Sequence, residues 1–161
     1  MEFTMKKLPS LKKIIPVLDD VFQMYIRYRD NWTCISCGCK YPVGDKANLH
    51  AGHYIGRGSY ATRWDEENVN AQCKICNGKQ NWGDMETIYK YTMNLKSKYD
   101  SSVIDRLLAK KHKVFKLNRL ELLANVQIYL DALKDKYEKS GVKSDACEKT
   151  IKQAEKLLKS A

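Results

Sequence analysis

Histidine is scarce in this chain, three among 161 residues, and long apolar runs are missing altogether. No stretch approaches the ~18 apolar residues of a membrane-spanning helix, so no membrane association is expected. The N-terminal "MEFTMKKLPSLKKIIP" is basic, but its apolar part is too short for a secretory signal and no small-residue cleavage site follows. A cytoplasmic protein is therefore expected. Nothing repeats along the chain and no segment is of low complexity, which sets aside repeat architectures.

Acidic residues are the minority, 19 against 29 Lys and Arg, for a net charge of +10 and a pI near 9.3. The excess is spread evenly, so no basic tail accounts for it. A polyanion, most simply nucleic acid, is the physical reading of such a surface, though charge alone does not decide it. A chain of 161 residues suits one domain with a modest core and room for a helical extension.

Six cysteines stand at 34, 37, 39, 73, 76 and 147. Without a secretory signal, paired Cys-x-x-Cys motifs read as metal ligation rather than disulfides. A thioredoxin-type redox pair would need a βαβ pattern, which is absent. Cys34, Cys37, Cys73 and Cys76 form two clamps with 35 residues between them, a set suited to a structural Zn²⁺. That gap exceeds a simple zinc ribbon and has room for a β-hairpin. Cys39 competes with Cys37 as a ligand, less favourably than the Cys-x-x-Cys partner. Cys147 reads as a small buried hydrophobe.

Pro16 is placed at the first position of a helix whose face carries Leu18, Val21, Phe22, Tyr25 and Tyr28, ending near Asp30. Residues 32–47 read as a knuckle and loop. "ANLHAGHYIGR" is one arm of a hairpin, and "SYATRWDEENVNAQ" contains the return. A short helix starts at the second clamp and stops near Gly83. Asp84 caps the next, with Ile88, Tyr91, Leu95 and Tyr99 on its face, and Ser101 or Ser102 caps a third. Residues 118–139 form a long helix with Leu123, Val126, Leu130, Leu133 and Tyr137 on one seam. After Gly141 the seam continues as Cys147, Ile151, Ala154 and Leu158, giving a helical hairpin or a surface for a second subunit.

Two of the three histidines, His50 and His53, lie between the clamps. A metal-dependent nuclease needs a base to activate water and ligands for a hard cation on the phosphate. The string "CISC…HAGHYIGRG…TRWDEENVNAQCKICN" resembles the HNH (ββα-metal) nuclease motif. In its "CISCG", "AGHY" and "QC-x-x-CN" elements the chain resembles the phage NinG, or Rap, recombination endonucleases, from about residue 17 to 137. Across the zinc knuckle alone it is also similar to phage endonuclease VII.

The resemblance implies an α+β, mainly α fold: a ββα-metal (HNH) core on a four-cysteine zinc knuckle of treble-clef kind, followed by a helical C-terminal region. The divisions implied are 1–31 for the N-terminal helix, 32–84 for the zinc-stabilised core, and 85–161 for a helical region that dimerises or binds DNA. His53 would be the general base, Asn68 would hold the loop and orient it, and Asn77 would bind a catalytic Mg²⁺ or Mn²⁺. The residue before the catalytic histidine is often a metal-binding aspartate in HNH enzymes, and here it is Gly52. His50 is the nearest replacement, a ligand or a simple surface residue, with Asp65 or Glu66 behind it.

Arg57 and Arg63 are candidates for the phosphate, and Lys74 and Lys79 flank the site on its helix. Trp32, Trp64 and Trp82 are expected in the core, with stacking on splayed bases the alternative. The expected activity is hydrolysis of phosphodiesters in branched recombination DNA, in host-cell cytoplasm if the chain is phage-encoded. The resemblance implies Holliday junctions, D-loops or related branches as substrate. Branched or duplex DNA, a second copy of the chain and recombination proteins are the expected partners. The competing readings are a non-catalytic zinc module that binds nucleic acid and a recombination scaffold.

Overall fold

The computed structural model describes residues 7–161, so the first six residues of the basic N-terminal stretch lie outside the described part. The fold is mainly helical with one two-stranded sheet. No helix among the described residues is long and apolar enough to cross a membrane. Two compact units divide the chain, Met1–Tyr25 with Lys116–Ala161, and Ile26–Phe115.

The first unit is built on helices. Helix α1, Leu11–Arg29, starts earlier than Pro16 suggests, because the Ser10 carbonyl accepts from Lys13 and Ile14 and nucleates a turn ahead of it. Pro16 instead sits inside the helix and removes one N–H, on an exposed side where water can meet the Lys12 carbonyl. Ile14, Leu18, Val21 and Phe22 are buried along α1. Phe22 meets Tyr129 edge-on with centroids 4.7 Å apart.

Two long helices complete this unit. They are labelled by chain order, after the elements of the second unit, as α6, Arg119–Ser140, and α7, Asp145–Lys159. The Asn118 side chain caps α6 by accepting from Leu120 and Glu121. Gly141 ends α6 in the left-handed region at φ 63°, where a side chain would be strained. Ser144 caps α7. The two helices pack together as a hairpin, with Leu123, Val126, Leu130 and Leu133 buried on α6. On α7 the buried set is Cys147, Thr150, Ala154 and Leu157, so the seam is rotated from the expected Ile151 and Leu158. Thr150 can enter it because its hydroxyl donates to its own Ala146 carbonyl at 3.0 Å.

The second unit begins with the last residues of α1. A tight knuckle follows, closed by a bridge between Thr33 and Lys40. Strand β1, Leu49–His53, pairs antiparallel with β2, Val69–Cys73, in a register that sets His50 opposite Gln72 and Gly52 opposite Asn70. The connection carries a single helical turn, α2, Tyr60–Arg63. Helix α3, Lys74–Asn81, starts directly from the end of β2. Asp84 caps α4, Met85–Lys98, accepting from the Thr87 backbone and hydroxyl. Helix α5, Val103–Lys111, has Ser102 at its N-cap, but the Ser102 side chain makes no cap bond. Asp100 takes the Ser102 N–H instead, at 2.8 Å. Ile55, Tyr91, Leu95, Val103 and Leu107 form the apolar core under this connection.

Of the three tryptophans, only Trp32 is deeply buried, against the Tyr28 ring. Trp64 is half-buried beside Tyr60. Trp82 departs from the expectation of core packing: it is the C-cap of α3, after Asn81, and is 91% exposed.

Candidate metal centre and active-site cleft

The sulfurs of Cys34, Cys37, Cys73 and Cys76 all lie within 4.8 Å of one another. Cys37 and Cys73 sulfurs are 3.9 Å apart, close to the ~3.8 Å edge of a tetrahedron with Zn–S bonds of ~2.3 Å. The knuckle supplies the first pair. Cys73 is the last residue of β2 and the N-cap of α3, and Cys76 lies one turn on. Backbone N–H groups of Cys73 and Cys76 donate to the sulfurs of Cys34 and Cys73. Such donors favour the charged thiolates a metal needs.

The thiols lose their protons unequally. Burial pushes Cys34 up to about 11. Burial also acts against ionisation of Cys37, but the Cys39 backbone and neighbouring thiols outweigh it and bring it to about 7. Metal binding displaces the protons of the whole set, since the ligands are thiolates. These four cysteines can hold a structural metal such as zinc. Cys39 is exposed and outside the set, while Cys147 is fully buried.

The two histidines of β1 serve different places. Positions three apart on a strand point to opposite faces. His50 meets α3, where the Asn77 amide nitrogen is 3.2 Å from its Nδ1. An amide N–H can only donate, so Nδ1 carries the lone pair. Burial lowers the His50 pKa, as do the charges of Arg27 and Lys74, against an opposing hydrogen bond with Ala47. Both effects favour the neutral ring, the form that can bind a cation.

His53 ends β1 with its Nε2 3.0 Å from the Arg63 carbonyl. The carbonyl can only accept, so in the neutral ring Nε2 holds the proton and Nδ1 holds the lone pair. His53 lines an open cleft of about 750 Å³ together with Gln80, Asn81, Ile88, Leu108 and Lys111. His50 and Asn77 do not line it. Asn81, one turn after Asn77 on α3, does.

Asn68 is wholly buried and every polar atom of its amide is used. Its Oδ1 accepts from the Ile55 N–H at 2.7 Å, and its Nδ2 donates to the carbonyls of Ile55 and Thr62, each at 2.9 Å. Asn68 thereby ties the start of the connecting loop to α2, whose next carbonyl, that of Arg63, fixes the His53 ring. Tyr91 adds a second constraint by donating to the Gly52 carbonyl at 2.9 Å.

Gly52 sits under the Gln72 side chain, which donates across to Ser36 and Gln80. A Cβ at position 52 would strike the Gln72 amide oxygen and stand 2.8 Å from its Cβ. Close packing thus requires glycine there, and an aspartate has no room. Asp65 and Glu66 are engaged elsewhere, Asp65 with Lys110 at 2.6 Å and Glu66 with Arg29 at 3.7 Å.

None of the four cationic candidates lines the cleft, where the basic residue is Lys111. Arg57 is exposed in the loop, and its carbonyl accepts from Arg63 at 3.4 Å. The Arg63 guanidinium lies over the rings of Tyr60 and Trp64, 5.4 and 5.5 Å from their centroids. Lys74 and Lys79 are on α3, Lys74 exposed and Lys79 at its last turn. Gln80, Asn81 and Lys111 were not singled out from the sequence. Helical spacing from Asn77 points to Asn81, whereas nothing local points to Lys111, which α5 brings in.

A family model described as Bacteriophage Lambda NinG protein matches residues 3–140. No curated protein and no solved structure gives a significant match.

Proposed function

Because the chain belongs to the family of the bacteriophage lambda NinG protein, we propose that it is a phage recombination endonuclease of HNH type that hydrolyses phosphodiesters in branched DNA. The observation that carries this reading is His53, its tautomer set by the Arg63 carbonyl and its ring on the wall of an open cleft. The antiparallel hairpin followed at once by α3, pinned by four thiols, supports the HNH core and the likeness to endonuclease VII across the knuckle.

In this reading His53 Nδ1 takes a proton from water as the water oxygen attacks phosphorus, and one P–O ester bond breaks. Asn68 acts through the loop it holds, as a positioning residue. Arg57, Arg63, Lys74 and Lys79, with Lys111, meet phosphate oxygens. A bound Mg²⁺ or Mn²⁺ would offset the charge developing on the phosphate oxygens. His50 and Asn77, 3.2 Å apart, are the pair that could hold such an ion once the amide turns its oxygen inward, although they do not line the cleft with His53. An imidazole nitrogen and an amide oxygen without a carboxylate suit Mn²⁺ better than Mg²⁺.

The partners in this reading are branched or duplex DNA, other recombination proteins, and a second copy of the chain. The α6–α7 seam is used within the chain, so dimerisation would rest on exposed residues such as Leu120 and Ile128. The test incubates purified protein with linear and four-way DNA in Mg²⁺ or Mn²⁺. His53→Ala should cut ~10²–10⁴-fold more slowly, the usual worth of a general base, while binding DNA as before. Cleavage at the wild-type rate by His53→Ala would leave a zinc module that binds nucleic acid.

A further inference from the structure

Beside the cleft stands the most exposed large apolar residue among those described. Trp82 is 91% exposed, directly after Gln80 and Asn81 of the cleft wall. Met85 and Tyr89, in the first turns of α4, are also exposed, at 74% and 63%. A folded chain gains nothing in stability from an indole held in water, and the ring contributes to no core.

The surroundings identify what would cover it. Lys74 and Lys79 belong to the same short helix, and Lys111 opens into the adjoining cleft. The local acids are already engaged: Asp84 caps α4, and Glu86 pairs with Lys90 at 2.6 Å. The exposed ring is therefore apolar and planar, with Lys79 one turn before it and close enough to act on Asp84 after it. That pairing suits a ligand with a flat face on an anionic backbone. An apolar protein surface would need no such cation.

We propose that Trp82 is a stacking platform for an unpaired nucleobase of the DNA whose backbone enters the His53 cleft, with Tyr89 serving the next base. This rests on the DNA-cleaving reading above and deepens it. A fully paired duplex buries its base faces, whereas a branch that carries unpaired or unstacked bases exposes them. Trp82 thus gives the protein a means of telling branched from linear DNA without reading sequence.

The experiment measures binding of the zinc-loaded full chain to two fluorescent DNAs without added Mg²⁺ or Mn²⁺. One is a linear duplex, and the other carries a single unpaired 2-aminopurine. Trp82→Ala should weaken binding to the second by about five- to a hundredfold, the usual worth of one base–aromatic stack, and leave the linear duplex nearly unchanged. Trp82→Phe should retain most of the preference, and Trp82→Leu should not, because a leucine is apolar but not planar. Quenching of 2-aminopurine should disappear with the ring.

Equal binding of both DNAs by wild type and Trp82→Ala overturns the proposal, as does rescue by leucine. Sedimentation showing that Trp82→Ala dissociates a wild-type dimer also overturns it, since a second copy would then cover the ring. If wild-type protein neither binds nor cuts any DNA, the endonuclease reading itself fails and takes this inference with it.

Discussion

The Gln72 side chain lies diagonally across Gly52 on the paired strands, so that a Cβ at position 52 would stand 2.8 Å from the Gln72 Cβ. The residue preceding His53 is thus decided by packing. Gln72 cannot simply withdraw, because its amide reaches Ser36 in the knuckle and Gln80 on α3.

Gly52→Ala should therefore destabilise the protein by about 1–3 kcal/mol, the range for overpacking a close contact. Gly52→Asp should be worse, and added Mg²⁺ should not restore it. Thermal melting checks both, and a wild-type melting temperature for Gly52→Ala would contradict the packing account.

Cys73 joins β2, the N-terminus of α3 and the thiol cluster, and Cys73→Ser removes its thiolate from the cluster while a hydroxyl can still cap α3. Elemental analysis should find about one zinc per chain in wild type and far less in the variant. Circular dichroism should show partial unfolding of the variant. Well-folded wild-type protein without zinc would refute the prediction.

Asn77→Ala and His50→Ala should both lower cleavage, and raised Mn²⁺ should recover part of it. A lost ligand weakens occupancy, whereas a lost base does not respond to metal. His53→Ala accordingly should show no such recovery. Titrating Mn²⁺ against initial rate separates these cases, and identical metal responses in all three variants would remove His50 and Asn77 from the metal.

Asp30 ties the end of α1 to β2 and α4, bonding Arg29 at 2.8 Å, Lys98 at 2.6 Å and the Ala71 N–H at 2.7 Å. Burial pushes its carboxyl up, but the hydrogen bonds and charges of Arg29 and Lys98 outweigh this and hold it below its ordinary value. A depressed folded pKa means stability that is complete above the unfolded value of about 4 and lost as pH falls through the folded one. Asp30→Asn should cost about 1–3 kcal/mol at neutral pH, because the part-buried Arg29 and the more exposed Lys98 lose a carboxylate partner. The variant should also lose much of the wild-type acid sensitivity in urea melts from pH 7 to 3. An unchanged pH profile would show that other carboxylates carry it.

Much of the fold could be read along the chain because its causes are local. Two Cys-x-x-Cys clamps announce their chemistry through spacing alone. Asp84 and Gly141 mark helix ends through a side-chain oxygen and a left-handed backbone, and the seam of α6 follows from the 3.6-residue period. Periodicity placed Cys147 and Ala154 correctly in the α7 seam but gave Ile151 and Leu158 where Thr150 and Leu157 are buried, and Thr150 can be buried because its hydroxyl is satisfied on its own helix. Pro16 misled for a similar reason: the Ser10 carbonyl starts α1 a turn and a half earlier.

Other features depend on what lies opposite, which no local pattern contains. Asn68 was recognisable as a loop-holding residue, but its partners Ile55 and Thr62 are set by how the connection folds back. Three similar tryptophans became one core residue, one half-buried ring and one exposed ring, according to whether a neighbour covers each. Gly52 suggested a missing ligand until Gln72 filled the space above it, and Lys111 entered the cleft only because α5 folds beside it. Spacing along the chain determines which residues share an element's face. Only the packing of elements determines what that face meets, because steric exclusion and hydrogen bonding across a fold act between positions remote in sequence.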